Sequence, residues 1–212
     1  MFITLEGIEG SGKSTQIGRI VKHLEALGHS CLVTKEPGGT EIGEQIRALL
    51  LDPGNSGLDT MAELLLYEAD RAQHVSRVVK PALNAGKTVI CDRFCDSTVV
   101  YQGEARGIPP AIIEKLNSLV LGSLRPDITF LLDLPPETGL SRAWKQIDSG
   151  IRRQGESRFE REKLRFHESV RHGYLVLAEK EPERIRVIEA DQPEQRVGRA
   201  IAEELDRFLQ QS

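Results

Sequence analysis

An eight-residue segment near the amino terminus has the residue types of a phosphate-binding loop. It fits the pattern G-x-x-x-x-G-K-[ST] with Gly7, Ile8, Glu9, Gly10, Ser11, Gly12, Lys13 and Ser14. Glycines let backbone N–H groups curl around an oxyanion, and the following helix adds the positive end of its dipole. Lys13 can reach the β- and γ-phosphates, and Ser14 can ligate Mg²⁺. A coincidental glycine turn is the alternative, but a predicted strand before the segment and a predicted helix after it favour binding of a nucleoside triphosphate.

A carboxylate and a guanidinium stand side by side where the third predicted strand ends. Asp92 can orient Mg²⁺ or its waters there, and Arg93 can fork onto an acceptor phosphate. A surface ion pair is the alternative for these two residues. Arg47 and Arg71 lie on predicted helices, where solvated arginines are common, so their type alone assigns them no ligand.

The absence of several signature motifs limits the kinds of protein that could use the bound triphosphate. The sequence has no Asn-Lys-x-Asp or Asp-x-x-Gly segment, as a GTPase switch would need, and no Ser-Gly-Gly signature of a transporter ATPase. A small phosphotransferase with one triphosphate, one small acceptor and one lid fits best. A regulatory module that binds nucleotide without turnover is the alternative from another class.

The length and composition are those of one soluble domain. With 212 residues, 39% of them hydrophobic, the chain can bury a core without disulfides, and we expect a single domain over 1–212. A net charge of −4 argues against a nucleic-acid partner, and no apolar run approaches the 18 residues of a membrane span. The amino-terminal residues do not resemble a signal peptide. Three cysteines without metal-ligand spacing suit free thiols in a reducing compartment, so we expect a cytoplasmic location.

Short β-rich runs alternate with helical stretches along the chain. The predicted strands are 2–5, 31–34, 88–91, 128–132 and 185–188. The predicted helices are 14–27, 41–50, 60–84, 109–121, 136–149, 159–180 and 194–210. This alternation predicts an α/β fold of the P-loop NTPase type, a five-stranded parallel sheet with helices on both faces and a short lid. The ligand site should then lie at the carboxyl edge of the sheet, in the loops after residues 6, 35, 92 and 134.

Local signals predict where two of these helices begin or bend. Thr60 with Glu63 matches a capping box, and Pro109 and Pro110 suit a helix start. Pro81 should kink or end the third helix.

Several segments, taken in order, resemble the thymidylate kinase family, which phosphorylates dTMP to dTDP. The resemblance covers nearly the whole chain, with matching segments at Glu6–Thr15, Lys35–Thr40, Ile46–Leu51, Asp92–Phe94, Ser97–Thr98 and Tyr101–Gly103. The Glu-Pro-Gly-Gly-Thr segment and the acidic residue inside the phosphate loop are more specific than the loop itself. The resemblance implies ATP and dTMP as substrates, Mg²⁺ as cofactor and a homodimer. A kinase for dUMP, UMP/CMP or a non-nucleotide alcohol is the nearest alternative.

The resemblance also implies roles for single residues. ATP contacts would extend from the loop to Thr15, with adenine contacts from Arg142 and from the backbone near Gln192. The acceptor phosphate would be held by Arg93 and Arg47. On the acceptor nucleoside, the implied contacts are Glu9 with the 3′-hydroxyl, Arg71 with a thymine carbonyl, Thr98 with the ring N–H edge, Tyr101 against the 2′ position, and Gln102, Pro37 and Ser97 along the pocket. Tyr67 stands where the family usually places a stacking Phe, and packing in the core is the alternative for it.

A stretch rich in Lys and Arg contains the remaining candidate catalytic residues. Nine of the 28 basic residues lie between 142 and 171, which predicts either a solvated helix face or a lid that brings positive charge to the transferring group; a nucleic-acid patch is disfavoured. One branch of the family carries an arginine inside the phosphate loop, where this chain has Gly10. We therefore expect a lid at about 149–158, with Arg153 as the first candidate for the transition-state arginine and Arg152 as the second.

Overall fold

The computed structural model describes residues 1–151 and 154–211. Five parallel strands form one sheet in the order β2-β3-β1-β4-β5. The strands are β1 Phe2–Glu6, β2 Cys31–Lys35, β3 Thr88–Asp92, β4 Ile128–Asp133 and β5 Ile185–Glu189. Each begins where it was predicted and runs one residue further. The predicted five-stranded parallel sheet is confirmed.

Helices connect the strands. They are α1 Lys13–Ala26, α2 Glu41–Leu51, α3 Thr60–His74, α4 Lys80–Asn84, α5 Cys95–Thr98, α6 Pro110–Leu121, α7 Pro136–Asp148, α8 Leu164–Lys180 and α9 Glu194–Gln211. Short 3₁₀ turns occur at Pro53–Asn55 and Gln154–Glu156, and π-helical segments at Val75–Val79 and Val99–Ala105.

The third predicted helix has its predicted bounds, 60–84, but its capping and its interior differ from expectation. Its cap is Asp59, which accepts from the N–H groups of Met61 and Ala62, so the capping box predicted from Thr60 is wrong. Glu63 is instead buried in contact with arginines. At the other end, helical backbone continues to Asn84 through a π-helical segment just before Pro81. Because proline has no N–H to donate, a wider turn near it accommodates the missing bond.

Two further boundaries were wrong or missed. Helix α8 begins at Leu164 and not at 159, because residues 158–161 form turns. The helical segment 95–105 was not predicted.

The sheet is covered on both faces, as expected. Side chains alternate along β1, so Ile3 and Leu5 join the larger core cluster while Phe2 joins a second one. In β3, Ile90 likewise packs with the larger cluster and Val89 with the second. Because helices cover both faces of the sheet, we expect a ligand to bind at the ends of its strands. None of the helices in 1–151 and 154–211 combines the length and apolarity needed to cross a membrane.

Candidate active site

A cavity of about 1010 Å³ opens at the carboxyl ends of β1, β2 and β3. Its walls come from the phosphate loop, the segments that follow β2 and β3, helical residues of α2, α3 and 95–102, and five residues further along the chain: Gln146, Ile151, Glu156, Phe159 and Glu160. Of the four loops expected to contribute, three do. Among the described residues of the walls, none belongs to the loop after β4; Asp133 at that strand end is bound by both Nε and Nη2 of Arg171, at 2.7 and 2.8 Å.

The phosphate loop leads directly from β1 into α1. Gly12 precedes the helix with a φ of 95°, in the left-handed region that glycine adopts without strain. Lys13 is buried, and its Nζ donates to the backbone oxygens of Gly7 at 3.0 Å and Ile8 at 3.2 Å. These bonds fold the lysine back over the loop. The charged tip therefore stands inside the curve that a phosphate chain would fill.

The charge state of Lys13 responds to this burial. Removal from water, followed by repulsion from Arg93, lowers the pKa of Lys13 to about 8. A bound polyphosphate would supply negative charge beside the ammonium group and favour its protonated form.

Gly10 packs directly against α7. A Cβ on Gly10 would overlap the carbonyl oxygen of Gly139, and Gly10 also has a φ of 73°. Conversely, a Cβ on Gly139 would come within 2.5 Å of the backbone oxygen of Glu9. The loop and the helix thus touch through backbone, and no side chain fits at Gly10.

Ser14 and Asp92 share the cavity wall and carry the oxygen donors expected of a magnesium site. Mg²⁺ usually takes one or two protein oxygens and completes its shell with water and substrate phosphates. One hydroxyl and one carboxylate match that requirement. Among residues 1–151 and 154–211, no cluster of three or more His, Cys, Asp or Glu side chains offers a metal site.

Arg93 sits at the junction of donor and acceptor sides. Its backbone has a φ of 69°, rare for a residue with a side chain. From there Nη2 donates to Oε1 of Glu9 at 3.0 Å, and Nη1 donates to Ser97 and to Tyr174. Tyr101 also donates to Oε1 of Glu9, at 2.7 Å. The guanidinium is thereby fixed over the cavity, next to the acid of the phosphate loop.

Arg47 reaches the cavity from α2 and is already paired with an acid of the lid. Its Nε and Nη2 donate to Oε2 of Glu156 at 3.1 and 2.7 Å, while Nη1 donates to the backbone of Pro37 at 2.9 Å. A carboxylate thus occupies one face of this guanidinium group.

Arg71 is the most deeply buried cation near the cavity, with 1% of its surface exposed. Its Nε donates to Glu36 at 2.9 Å and its Nη1 to Glu68 at 2.6 Å. The Nη2 group donates to Thr98 and to the backbone of Phe94, and Nη1 makes a longer contact of 3.4 Å with Asn117. A base carbonyl could reach this guanidinium by replacing the long contact.

The remaining predicted acceptor residues line the same wall. They are Pro37, Tyr67, Ser97, Thr98, Tyr101 and Gln102. Tyr67 also packs against the main core cluster, and burial, followed by the charge of Glu63, raises the pKa of its hydroxyl. Gln102 donates to Glu63 at 2.9 Å.

Four predicted residues, Gly7, Ile8, Arg142 and Gln192, are absent from the cavity wall, and two more lie outside the described residues. Gly7 and Ile8 form the base of the loop behind the cavity wall. Arg142 donates to Asp191 at 3.1 Å and so lies beside Gln192, outside the cavity. Arg152 and Arg153 fall outside the described residues.

Comparisons with known proteins agree with this geometry. A family model described as thymidylate kinase matches residues 5–201. A thymidylate kinase of Desulfosudis oleivorans is 58% identical over 95% of each chain, and one of Desulforapulum autotrophicum is 56% identical over 99% of this chain and 92% of that one. This chain belongs to the thymidylate kinase family. The crystal structure of thymidylate kinase from Ehrlichia chaffeensis, at 36% identity, superposes with a TM-score of 0.76 over 97% of this chain and 98% of the other.

Sequence reasoning missed several residues at the active site of this thymidylate kinase family member. Ser97, Thr98, Tyr101 and Gln102 were not among them: these four were predicted, but the helical segment that carries them was missed, although their spacing by four residues could have revealed it. Glu156, Glu36 and His167 were missed for another reason: their contacts come from distant parts of the chain, so no local pattern indicates them.

Proposed function

We propose that this chain phosphorylates dTMP to dTDP with the γ-phosphoryl group of Mg·ATP, for dTTP synthesis, within one domain over 1–212. Membership in the thymidylate kinase family supports the reaction. In the structure, the supporting observation is that one cavity holds both Lys13 of the phosphate loop and the arginines of the acceptor side, Arg93 and Arg47. Catalysis then consists of positioning and of charge stabilisation, and needs no nucleophilic side chain.

On the donor side, the backbone N–H groups of the loop bind the triphosphate and Lys13 contacts its β- and γ-phosphates. Ser14 and Asp92 would hold Mg²⁺, which when bound neutralises phosphate charge. Thr15 continues the loop into α1. Arg142, near Gln192, borders the adenine.

On the acceptor side, Arg93 and Arg47 bind the phosphate of dTMP. This requires Arg47 to exchange Glu156 for the nucleotide, and the two anions are matched because a guanidinium binds carboxylate and phosphate by the same fork. Glu9 accepts a hydrogen bond from the 3′-hydroxyl. Around the base and the sugar, the proposed contacts are Arg71 with a carbonyl, Thr98 with the N–H edge, Tyr67 by stacking, Tyr101 against the 2′ position, and Pro37, Ser97 and Gln102 along the wall.

Transition-state charge comes from the lid at about 149–158. The phosphate loop cannot supply an arginine at Gly10, because its Cβ position is filled by the backbone of Gly139. Two basic residues of this stretch are engaged elsewhere: Arg158 pairs with Glu63 at 2.7 Å and Arg171 with Asp133. We therefore assign the role to Arg153 first and to Arg152 second.

The test is ADP release from Mg·ATP with dTMP, dUMP, UMP, CMP, AMP, GMP or no acceptor. Fast turnover with dTMP, weaker turnover with dUMP and little elsewhere are expected. A preference for another monophosphate would reassign Tyr67, Arg71 and Thr98. Binding of ATP without acceptor-dependent turnover would overturn the proposal in favour of a regulatory module.

A homodimer in the cytoplasm completes the proposal. Cys31, Cys91 and Cys95 are unpaired, which supports a reducing compartment. Sedimentation equilibrium tests the dimer: the mass of a single chain would contradict it.

A further inference from the structure

A histidine of α8 lies behind the acid of the phosphate loop. His167 has none of its surface exposed, and its Nδ1 is 3.3 Å from Oε2 of Glu9. Within the described part of the chain, neither ring nitrogen of His167 has a hydrogen-bond partner. Buried polar groups of native proteins are rarely left in this state, so the pair needs an explanation.

The two oxygens of Glu9 have different surroundings. Oε1 accepts from Tyr101 and from Arg93. Oε2 is buried and accepts no hydrogen bond from the described residues, with His167 beside it. Glu9 also lines the cavity, so its carboxylate has His167 of α8 on one side and the cavity on another. A carboxylate oxygen can accept more than one hydrogen bond and can serve both neighbours.

We propose that His167 is a positioning residue, whose Nδ1–H donates to Oε2 of Glu9 and aims that carboxylate at the 3′-hydroxyl of the acceptor. The inference rests on the proposed function, which assigns Glu9 to that hydroxyl. It adds the group that orients Glu9 from behind and so makes His167 a determinant of acceptor specificity.

The charges around the pair fit this role. Burial alone would raise the pKa of Glu9, but the nearby His167 and the charges of Arg93 and Lys13 together hold it well below its usual range. Glu9 is thus ionised near neutral pH and acts only as an acceptor. An acceptor nucleotide must then offer a donor at this place, as a 3′-hydroxyl does and a 3′-deoxy sugar does not.

The experiment compares kcat/KM for dTMP with kcat/KM for 3′-deoxythymidine monophosphate on one preparation of each variant. The ratio of the two values cancels the fraction of folded enzyme, so a purely structural loss does not change it. The variants are E9Q, H167F, H167N and H167Q. Asparagine places its amide near the position of Nδ1, whereas glutamine places it near Nε2, so H167N and H167Q form a matched pair.

We expect the preference for dTMP to fall roughly tenfold in E9Q, because a charge-assisted hydrogen bond becomes a neutral one. H167F and H167Q should show a similar fall, while H167N keeps the ratio within about twofold of the wild-type value. A fall in E9Q with unchanged ratios in H167F and H167Q would overturn the role of His167 and leave that of Glu9. An unchanged ratio in E9Q would overturn the contact between Glu9 and the 3′-hydroxyl, on which the proposed roles of Glu9 and His167 both depend. Should H167F fail to fold, H167N and H167Q decide between the outcomes.

Discussion

The donor and acceptor halves of the cavity are built in different ways. The donor half centres on one continuous segment, the phosphate loop, where we propose that backbone N–H groups and a single lysine bind the triphosphate. The acceptor half takes charged side chains from separate helices and loops, and it buries several of them: Arg71, Glu36, Glu68 and Asp70 are each at most 4% exposed.

The difference has an energetic consequence. Backbone donors are part of every peptide and carry no net charge, so most of the donor loop's binding groups place no charge in the interior. Buried charges are costly unless each one is paired, and removing one partner leaves the other uncompensated. We therefore expect changes on the acceptor side to affect folding as well as activity, and changes on the donor side to affect turnover alone. Five predictions test this contrast.

The largest effect should come from Arg71→Met. It leaves the buried carboxylates of Glu36 and Glu68 without their cation, and we expect the free energy of unfolding in urea to fall by about 3–5 kcal/mol. Arg77→Met, at an exposed position of the adjoining π-helical segment, is the control. A loss below about 1 kcal/mol would mean that the network contributes no more than a surface pair.

Arg153→Ala should depress turnover by about 10³-fold, since an arginine that meets the transferring phosphoryl group contributes at least this much. The affinity for dTMP should be almost unchanged. Arg152→Ala is the matched comparison and should have the smaller effect. A weakened affinity with normal turnover would make Arg153 a binding residue and the lid assignment wrong.

Lys13→Ala should cost about 10²-fold or more in turnover, because the β- and γ-phosphates lose their contact with a cation. The free energy of unfolding should change little, which would separate this variant from Arg71→Met. Lys22→Ala, exposed on the same helix, is the control. Near-normal turnover of Lys13→Ala would refute the role of the lysine.

The buried carboxyl group of Asp70 should make the stability of the fold depend on pH. It is buried, and burial followed by the charge of Glu36 raises its pKa to about 6. Between about pH 4 and 6 the folded state keeps a proton that the unfolded state has lost, so the stability falls as the pH rises through this window. The stability of Asp70→Asn relative to wild type should therefore drop by about 2 kcal/mol from pH 7 to pH 4.

The measurement for this prediction is urea unfolding of both proteins across the pH range. Glu114→Gln, at an exposed position of α6, is the control for general effects of charge. A constant difference between wild type and Asp70→Asn would show that the carboxyl group does not titrate in this window.

The smallest effect concerns Tyr101→Phe. The variant loses the hydrogen bond to Glu9, so kcat/KM for dTMP should fall about tenfold. The ring remains, and the discrimination between dTMP and ribothymidine monophosphate should survive. Efficient use of the ribonucleotide by Tyr101→Phe would show that the exclusion of ribose is not steric.

Local sequence determined most of the fold and the donor half. The strands were predicted almost to the residue, because a run of apolar side chains identifies a strand buried on both faces. The phosphate loop could be predicted equally well, since its glycines and its lysine lie close together in the chain. Errors in the helices came where tertiary contacts outweighed local preference: Glu63, read as a cap, is held by Arg158 and Arg106.

Only the tertiary structure determines which charged side chains around the acceptor half pair with one another. The pairs Arg47–Glu156 and Glu9–His167 join residues more than 100 positions apart, and no local pattern indicates such a pairing. Only the structure shows that Gly10 is excluded from carrying an arginine, because the obstacle is the backbone of Gly139. Periodicity reports which face of an element is buried, whereas the partner of a buried charge depends on how the elements pack in space.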